Sequence, residues 1–495
     1  MDAVVVGSGP NGLCAAIELA RHGIAVRVFE AQPDPGGGVR SYAGTEPGFV
    51  HDLCSAVHPL AVASPFLDSL DLEGAGLEWV HPRVPLAHVL EGEEPVLLHV
   101  SPDETADNLD GQDRAAWTGW TAALLRDWDA LLDDILRPLR IPRHPVVTGR
   151  FALSALRSAR GLAERRFGGR RARALLAGVS AHSVRPLSAP GSAAQGVVLT
   201  LAGHAVGWPF PRGGAGALTR ALVRILERFG GAVETSHRVD SLDELPPARA
   251  TLLDLTPWQV LRVAGDRLPA RYAHALRRYR YGPGVFKVDW ALSEPIPWRH
   301  AAASGAGTVH VGGTLDDVDA AVTAPHHQRL PDAPFLILAQ PSLFDDTRAP
   351  GSMHTAWGYC HVPHGSHADR VAEMEAQVER YAPGFTDVVR ARAVRSPETL
   401  QRDNANLVGG DIGGGAQTLR QTVFRPAVRW DPYRTPVPGL FLCSSSTPPG
   451  GGVHGLCGAR AADRALEQTF GIRPTPWSAG SHSLRAPGGV ACHAR

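Results

Sequence analysis

The pattern of apolar and polar positions predicts a strand, a helix and a second strand at the start of the chain. Residues 3–6 are a short apolar, β-branched run of the kind found in strands buried on both faces. Residues 11–22 are rich in alanine and leucine and predict a helix, which Gly23 ends. The run IAVRVFE at residues 24–30 predicts the second strand. The chain therefore begins as a β-α-β unit of an α/β fold.

A glycine motif lies between the first predicted strand and the helix. Gly7, Gly9 and Gly12 form a Gly-x-Gly-x-x-Gly. In a β-α-β unit the first glycine permits a tight turn, the second lets the backbone approach a pyrophosphate, and the third lets helix and strand pack closely. The start of the helix, which includes Pro10 and Asn11, offers unpaired N–H groups of its first turn to the phosphates. These five residues are predicted to bind a dinucleotide.

Two further features support the dinucleotide site. Glu30 closes the second strand, where a carboxylate can accept hydrogen bonds from the ribose hydroxyls. This acid favours an unphosphorylated ribose and fits either NAD or FAD. In the run GGGVR, Gly37 and Gly38 admit a close ligand and Arg40 can pair with a phosphate.

A second Gly-x-Gly-x-x-Gly occurs late in the chain, in the stretch TPPGGGVHGLCG. Its glycines are Gly450, Gly452 and Gly455, and it follows a short apolar run, GLFLC. The motif could hold a second dinucleotide or contact the first one again. No acid follows it at ribose-binding distance on a further strand, so it lacks the context of an independent NAD site.

The middle of the chain shows both helical and strand periodicity. Residues 217–229 predict an amphipathic helix, followed by a strand that ends near Val239. Tryptophan and leucine recur at helical spacing over residues 105–137, and such a stripe is more typical of a core than of a substrate pocket. Residues 281–292 and 353–363 have strand-like content and are expected to floor a substrate cavity.

Composition excludes several classes of protein. Lysine plus arginine balance aspartate plus glutamate at 49 each, so the basic footprint of a nucleic-acid binder is missing. The six cysteines form no C-x-x-C pair, which argues against a zinc ribbon and a redox dithiol, and no metal site is predicted. A reduced, cytoplasmic location is expected, since there is no signal-like segment and no apolar run of about 18 residues.

One basic stretch leaves room for a membrane contact. Eight arginines lie between Arg150 and Arg173 among alanine, leucine and phenylalanine. A basic amphipathic helix can lie on anionic lipid, which would place the protein at the membrane periphery. The alternative, a solvated helix face, is favoured in a chain so rich in arginine and alanine.

Four segments together resemble the FAD-dependent phytoene desaturase-like family, which includes carotenoid desaturases, carotenoid isomerases and retinol saturases. They are VVVGSGPNGLCAAIELARHGIAVRVFEA, GGGVRSYAGTEPGFVHD, WPFPRGGAGALTRALVRILERFGGAVETSHRV and GLFLCSSSTPPGGGVHGLCGARAADRAL. The resemblance implies one FAD, with its adenine end at the first glycine motif and its flavin end under the second. It also implies a discontinuous Rossmann-like FAD-binding domain with a mixed α+β substrate domain.

The resemblance extends to particular positions. Gly452, Val453 and His454 would lie at the flavin end, and the backbone of Val239 would contact the adenine. Many relatives carry a Gly-Asp pair after the late strand; here Ser445 and Ser446 stand in that region and can supply hydroxyls instead. This departure suggests a side branch of the family.

The implied domain organisation divides the chain into six pieces. The FAD-binding domain would comprise residues 1–80, 206–262 and 401–473. The substrate domain would comprise residues 81–205 and 263–400, and residues 474–495 would form a C-terminal tail.

The expected activity is desaturation, saturation or flavin-assisted isomerisation of a carbon–carbon bond in an apolar, isoprenoid or lipid-like small molecule. Oxygen, a quinone or a nicotinamide would accept the electrons. His454 and His58 are the candidates for proton handling, because the ordinary pKa of histidine lies near neutrality. Asp411 and Lys287 are predicted to lie at the substrate cavity. A flavin amine oxidase and a non-catalytic FAD-binding protein are the alternatives.

Overall fold

The computed structural model of the protein describes residues 1–138 and 140–477. Over these residues the strands are β1 (Ala3–Val6), β2 (Val26–Phe29), β3 (Ser41–Tyr42), β4 (His51–Asp52), β5 (Trp79–Val80), β6 (Val84–Val89), β7 (Val96–Leu98), β8 (Phe210–Pro211), β9 (Ala232–Glu234), β10 (Ala250–Leu253), β11 (Gly284–Leu292), β12 (Ala306–Val311), β13 (Leu336–Ala339), β14 (His354–Val362), β15 (Val389–Arg395) and β16 (Leu440–Leu442).

Helices cover much of the remaining described chain. They are α1 (Pro10–Arg21), α2 (Pro59–Val62), α3 (Pro65–Asp68), α4 (Pro102–Asp107), α5 (Arg114–Leu125), α6 (Trp128–Ile135), α7 (Pro145–Ala155), α8 (Ala159–Arg166), α9 (Arg170–Ala181), α10 (Ala193–Ala205), α11 (Gly216–Arg228), α12 (Pro257–Ala264), α13 (Ala270–Arg277), α14 (Leu315–Thr323), α15 (Val371–Tyr381), α16 (Phe385–Val388), α17 (Pro397–Asp403), α18 (Leu419–Val423) and α19 (Leu456–Ala465).

A five-stranded parallel sheet carries the predicted β-α-β unit. Its order is β16-β10-β1-β2-β9, so its strands come from the beginning, the middle and the end of the chain. Val5 packs with α1, α11 and α19 on one side, whereas Val4 and Val6 pack with α12 and α13 on the other. Because both faces are covered, β1 is buried at every residue. The predicted discontinuous Rossmann-like fold is confirmed.

A second, mixed sheet has seven strands in the order β15-β11-β14-β13-β12-β6-β7. Two of its strands, β11 and β14, are the predicted runs at residues 281–292 and 353–363, and they pair antiparallel along their whole length. One face of the sheet packs against α15 and α16 through residues such as Trp290, Met374 and Phe385. The other face borders a cavity.

The tryptophan-rich stretch belongs to the core, as the sequence favoured, but it is not one helix. Residues 105–137 contain α5, α6 and the end of α4, with breaks near Asn108 and Asp127. Trp117, Trp120 and Trp128 are all buried in the main core cluster. The short polar breaks turn the chain so that each helix buries its own apolar side.

The arginine-rich stretch is also divided among several helices, which corrects the idea of a single basic helix. The arginines lie on or between α7, α8 and α9, because Ser158 caps the start of α8 and Gly169 precedes α9. Arg160 pairs with Asp319 at 2.9 Å and with Asp316 at 2.7 Å. Within residues 1–138 and 140–477 no helix is both long enough and apolar enough to cross a bilayer.

The predicted domain boundaries stay a prediction. The sequence between β1 and β4 and the segments holding β9, β10 and β16 build the parallel sheet and its surroundings. The predicted tail at 474–495 lies outside the described residues from position 478 onward.

Candidate functional site

The helices that follow the two glycine motifs pack directly against each other. A Cβ on Gly458, in α19, would lie 1.8 Å from the backbone oxygen of Asn11, and one on Gly455 would lie 2.4 Å from Sγ of Cys14. Glycine at both positions therefore lets α19 approach the start of α1. The contact brings the two motifs together although more than four hundred residues separate them.

The first motif has the geometry that its glycines predict. Gly7 has a φ of +95°, which favours glycine, and a Cβ on Gly12 would lie 2.0 Å from the carbonyl oxygen of Gly7. Gly12 therefore allows the close packing of α1 on β1. Gly37 closes over the motif, since its Cβ would lie 3.0 Å from Cα of Gly9.

One continuous cavity of about 730 Å³ borders both motifs and the front face of the seven-stranded sheet. Most of the predicted site residues line it: Gly7, Gly9, Pro10, Asn11, Glu30, Gly37, Gly38, Arg40, His58, Val239, Asp411, Ser445, Gly452 and Val453. Four predicted residues do not line it, namely Gly12, Lys287, Ser446 and His454. The cavity therefore joins residues from all three predicted pieces of the cofactor domain.

Glu30 and Arg40 are both held by hydrogen bonds to other parts of the protein. The Glu30 carboxylate accepts hydrogen bonds from the Ser8 backbone N–H at 2.9 Å and from the Ser8 hydroxyl at 2.6 Å. Arg40 donates to the carbonyl oxygens of Gly37 and Asp403 at 2.9 and 2.6 Å. Each side chain keeps further hydrogen-bonding capacity toward the cavity that it lines.

The two predicted proton-handling histidines lie in different surroundings. His58 lines the cavity and is buried, and neither ring nitrogen has a hydrogen-bond partner among the described residues. Burial lowers its pKa to about 4, so the ring is neutral at neutral pH.

His454 does not line the cavity, and its predicted roles in proton handling and cofactor binding stay predictions. Its Nδ1 accepts a hydrogen bond from the Leu456 N–H at 3.1 Å, and its carbonyl oxygen accepts one from the Ser64 hydroxyl at 2.6 Å. The ring packs against Gly452, whose Cβ would lie 3.2 Å from Cδ2 of His454. The side chain shapes the second motif and does not face the cavity.

Lys287, Ser446 and Asp411 are committed to internal contacts. The ammonium group of Lys287 pairs with the Asp289 carboxylate and lies 5.5 Å from the Trp357 ring centre, on the same face of the sheet as Trp357 and Tyr359, but Lys287 does not line the cavity. Ser446 donates to the Gly414 carbonyl oxygen at 2.8 Å. Asp411 lines the cavity, but its oxygens accept hydrogen bonds from backbone N–H groups of Gly282 and Gly413.

Asp254 is a site residue that the sequence reasoning missed. It follows β10, lines the cavity, and its Oδ2 accepts a hydrogen bond from the Gly12 N–H at 3.0 Å. Burial raises its pKa to about 7, and the nearby Glu30 carboxylate adds to the rise. The available signal was its position directly after an apolar strand, because strand ends in a parallel sheet meet at the cofactor edge.

The sequence reasoning also did not identify the residues that form the apolar wall of the cavity. Trp357 and Tyr359 alternate on β14 and face the cavity, with nearly parallel rings whose centres are 6.0 Å apart. Ile337, Leu199 and Trp208 complete this end of the cavity. Their period-two spacing on β14 was visible, but the face that points to the cavity was not.

Within the described residues no group of three or more histidines, cysteines or acids could hold a metal ion. The five cysteines in this part of the chain are free.

Comparisons with known proteins agree with this site. Residues 5–70 match the model of the NAD(P)-binding Rossmann-like domain. The chain is 28% identical over 557 residues to pyridine nucleotide-disulfide oxidoreductase domain-containing protein 2 of Mus musculus, covering 93% of this chain and 92% of that protein. It is 26% identical over 278 residues to the neurosporene-forming phytoene desaturase of Cereibacter sphaeroides, covering 50% of this chain and 51% of the relative.

Solved structures share the architecture. An oxidoreductase from Methanosarcina mazei has a TM-score of 0.62 at 15% identity, with 94% of this chain and 100% of that one covered. Wild-type putrescine oxidase with bound putrescine has a TM-score of 0.59 at 17% identity, with 95% and 99% covered. At these identities the likeness concerns the fold alone.

Fold, cavity and relatives define the class: the protein is an oxidoreductase with a Rossmann-like domain for a flavin cofactor. The resemblance to phytoene desaturase-like oxidoreductases that the sequence predicted is confirmed by these relatives.

Proposed function

We propose that the protein binds one FAD across both glycine motifs and oxidises, reduces or isomerises a carbon–carbon bond of an apolar small molecule. The observation that carries this proposal is the continuous cavity, in which Gly9 of the first motif and Gly452 of the second border the same space as the apolar wall. A dinucleotide spanning the motifs would bring its flavin end next to that wall.

The residues present fit an FAD. The glycines of the first motif leave room at the start of α1 that a side chain would fill, since a Cβ on Gly9 would already lie 2.6 Å from Oδ2 of Asp254. The N–H groups at the start of α1 favour a pyrophosphate, and Glu30 can accept hydrogen bonds from ribose hydroxyls. Gly452, with a φ of +127°, keeps the second motif close to the cavity without a side chain in the way.

When bound, FAD supplies the two-electron redox chemistry. The chain's own residues orient the substrate and handle the proton. Trp357, Tyr359 and Ile337 offer an apolar surface that excludes water from the reacting carbons. His58 is neutral at neutral pH and can accept a proton from a carbon next to the reacting one. Oxygen, a quinone or a nicotinamide is proposed to accept the electrons afterwards.

A flavin amine oxidase is the alternative, and the fold of putrescine oxidase makes it worth testing. Such an enzyme would use two aromatic rings to frame a neutral amine. Trp357 and Tyr359 are the stacked pair in the cavity, but their centres are 6.0 Å apart. A flat group between two rings needs about 7 Å, twice a carbon–carbon contact of about 3.5 Å. The pair therefore favours a substrate lying along the wall.

The test begins with the visible spectrum of the purified protein and the identity of the flavin released by heat. One equivalent of FAD per chain is expected; FMN, or no flavin even after incubation with FAD, would contradict the proposal. The loaded protein is then mixed anaerobically with polyenes and, separately, with primary and secondary amines. Bleaching by amines alone would favour the amine oxidase, and bleaching by no substrate or reductant would favour a non-catalytic FAD-binding protein.

A further inference from the structure

The cavity-facing side of the seven-stranded sheet presents two rows of residues in register. Thr308 pairs with Ala339, which pairs with Trp357. In the neighbouring row, His310 pairs with Ile337, which pairs with Tyr359. Because side chains alternate along each strand, both rows lie on the same face. That face is apolar at Ala339 and Ile337 and carries polar atoms at Thr308, His310, Trp357 and Tyr359; Asp289 and Lys287 of β11 continue the two rows beyond Trp357 and Tyr359.

The polar atoms of Thr308 and Trp357 are buried without partners. Thr308 and Trp357 are 2% and 6% exposed, and both line the cavity. In the described part of the chain, neither the Thr308 hydroxyl nor the Trp357 Nε1–H has a hydrogen-bond partner. Buried polar groups are normally hydrogen-bonded, so groups left free at a cavity wall point to a ligand.

A third polar group meets the same end of the cavity from the helical side. His182 follows α9 and lines the cavity, and its Nε2 lies 2.9 Å from Nε2 of the fully buried His310. Trp208 packs edge-on against the His182 ring, with centres 5.4 Å apart. The contact with His310 occupies Nε2, and Nδ1 has no hydrogen bond among the described residues. Burial lowers the pKa of His182 to about 3, so the ring is neutral and suits a neutral ligand atom.

The backbone beside this histidine is strained. Val184, which also lines the cavity, has a φ of +51°. A β-branched residue rarely adopts this conformation, and such strain is typical of ligand sites held by their surroundings.

We infer that Thr308, Trp357 and His182 bind hydroxyl or carbonyl oxygen of the substrate, which is therefore an oxygen-bearing apolar molecule and not a pure hydrocarbon. The inference rests on the proposed function, whose substrate class it narrows. A hydrocarbon would fill the apolar part of the wall but would leave three polar groups unpaired. Sites built to bind a hydroxyl discriminate strongly against analogues that lack it.

The test compares two probes, geraniol and the hydrocarbon with the same carbon skeleton and double bonds but no hydroxyl. Each is titrated into the purified full-length protein while tryptophan fluorescence is recorded. Geraniol is expected to bind at least about 10-fold more tightly, the effect of one buried hydrogen bond to a neutral group. Equal affinities, tighter binding of the hydrocarbon, or no binding of geraniol would overturn the inference.

Variants assign the preference to the wall. Thr308→Val removes the hydroxyl at nearly constant shape and is expected to weaken geraniol binding and bring the ratio of affinities toward one; Trp357→Phe should act in the same direction. Thr200→Val is the matched control, because Thr200 is also fully buried with an unpartnered hydroxyl but does not line the cavity. An unchanged ratio in Thr308→Val, or an equal loss in Thr200→Val, would contradict the assignment.

Flavin content is measured on the same samples and separates this inference from the proposed function. The probe titration needs no turnover. A preference for geraniol in a protein that binds no FAD would therefore contradict the proposed function but not this inference. One FAD per chain together with equal affinities for geraniol and the hydrocarbon would contradict only the inference about the substrate.

Discussion

The contact between α1 and α19 can be tested with one substitution, Gly458→Ala. The added Cβ would lie 1.8 Å from the Asn11 carbonyl oxygen and 3.0 Å from the Ala15 nitrogen. A carbon–oxygen contact needs about 3.3 Å, so the two helices must separate by about 1.5 Å. Overpacking against backbone costs about 1–3 kcal/mol, which outweighs the gain of up to about 1 kcal/mol from replacing a helical glycine by alanine.

Gly149→Ala is the matched control. Gly149 lies inside α7, and a Cβ there would meet no atom within 4 Å. This variant should therefore gain stability, by about 0.5–1 kcal/mol. Both variants are compared with the parent by urea unfolding followed by circular dichroism, and by the flavin-to-protein absorbance ratio.

Gly458→Ala should also lose flavin, because the shift moves the start of α1, where the phosphates are proposed to bind. The reasoning is refuted if Gly458→Ala is as stable as Gly149→Ala and carries the same flavin content. A stable variant would mean that the helices do not touch at Gly458. An unstable variant with full flavin would separate the helix contact from the cofactor site.

Three further predictions concern single side chains of the site. Gly9→Val should abolish flavin binding, because its side chain would collide with Asp254 and fill the proposed pyrophosphate space; full flavin in the purified variant would rule out the first motif as the site. His58→Gln should slow anaerobic flavin reduction while flavin stays bound, because His58 lines the cavity. His454→Gln should instead lower flavin content or thermal stability, because its ring is hydrogen-bonded within the second motif. Stopped-flow traces in which His454→Gln slows flavin reduction and His58→Gln does not would exchange their roles. Asp254 has a pKa raised in the folded state from 3.8 to about 7, so its contribution to the free energy of unfolding is present below pH 4 and is lost as the pH rises to about 7. Asp254→Asn should flatten the fall in stability across this window in urea titrations, and an unchanged pH profile would contradict the raised pKa.

The first β-α-β unit could be predicted almost residue by residue. The predicted helix at residues 11–22 is observed as Pro10–Arg21, and the helix predicted at residues 217–229 is observed as Gly216–Arg228. Local signals suffice here: apolar periodicity, a glycine turn and a proline at the helix start. The strand expected to end near Val239 is instead short, Ala232–Glu234, and Val239 reaches the cavity from a loop.

The histidines show where local reasoning stops. His58 and His454 are equally plausible in the sequence, since each lies beside a cofactor motif. Which ring lines the cavity depends on the fold around it: Ser64, far away in the chain, donates to the His454 carbonyl oxygen, and the nearby Leu456 N–H donates to the His454 ring. Local sequence patterns did not identify His182 either, because its orientation depends on His310, a strand residue far away in the chain.

The sequence by itself determined the Rossmann-like start, the second glycine motif and the family resemblance, because each is encoded in contiguous residues with fixed spacing. Only the tertiary structure decided that the two motifs border one cavity, through the glycine contacts of Gly455 and Gly458 with α1. It also decided that Asp254, Thr308 and Trp357 face that cavity. Strand register and helix packing set these directions, and both arise from contacts between segments that no local pattern records.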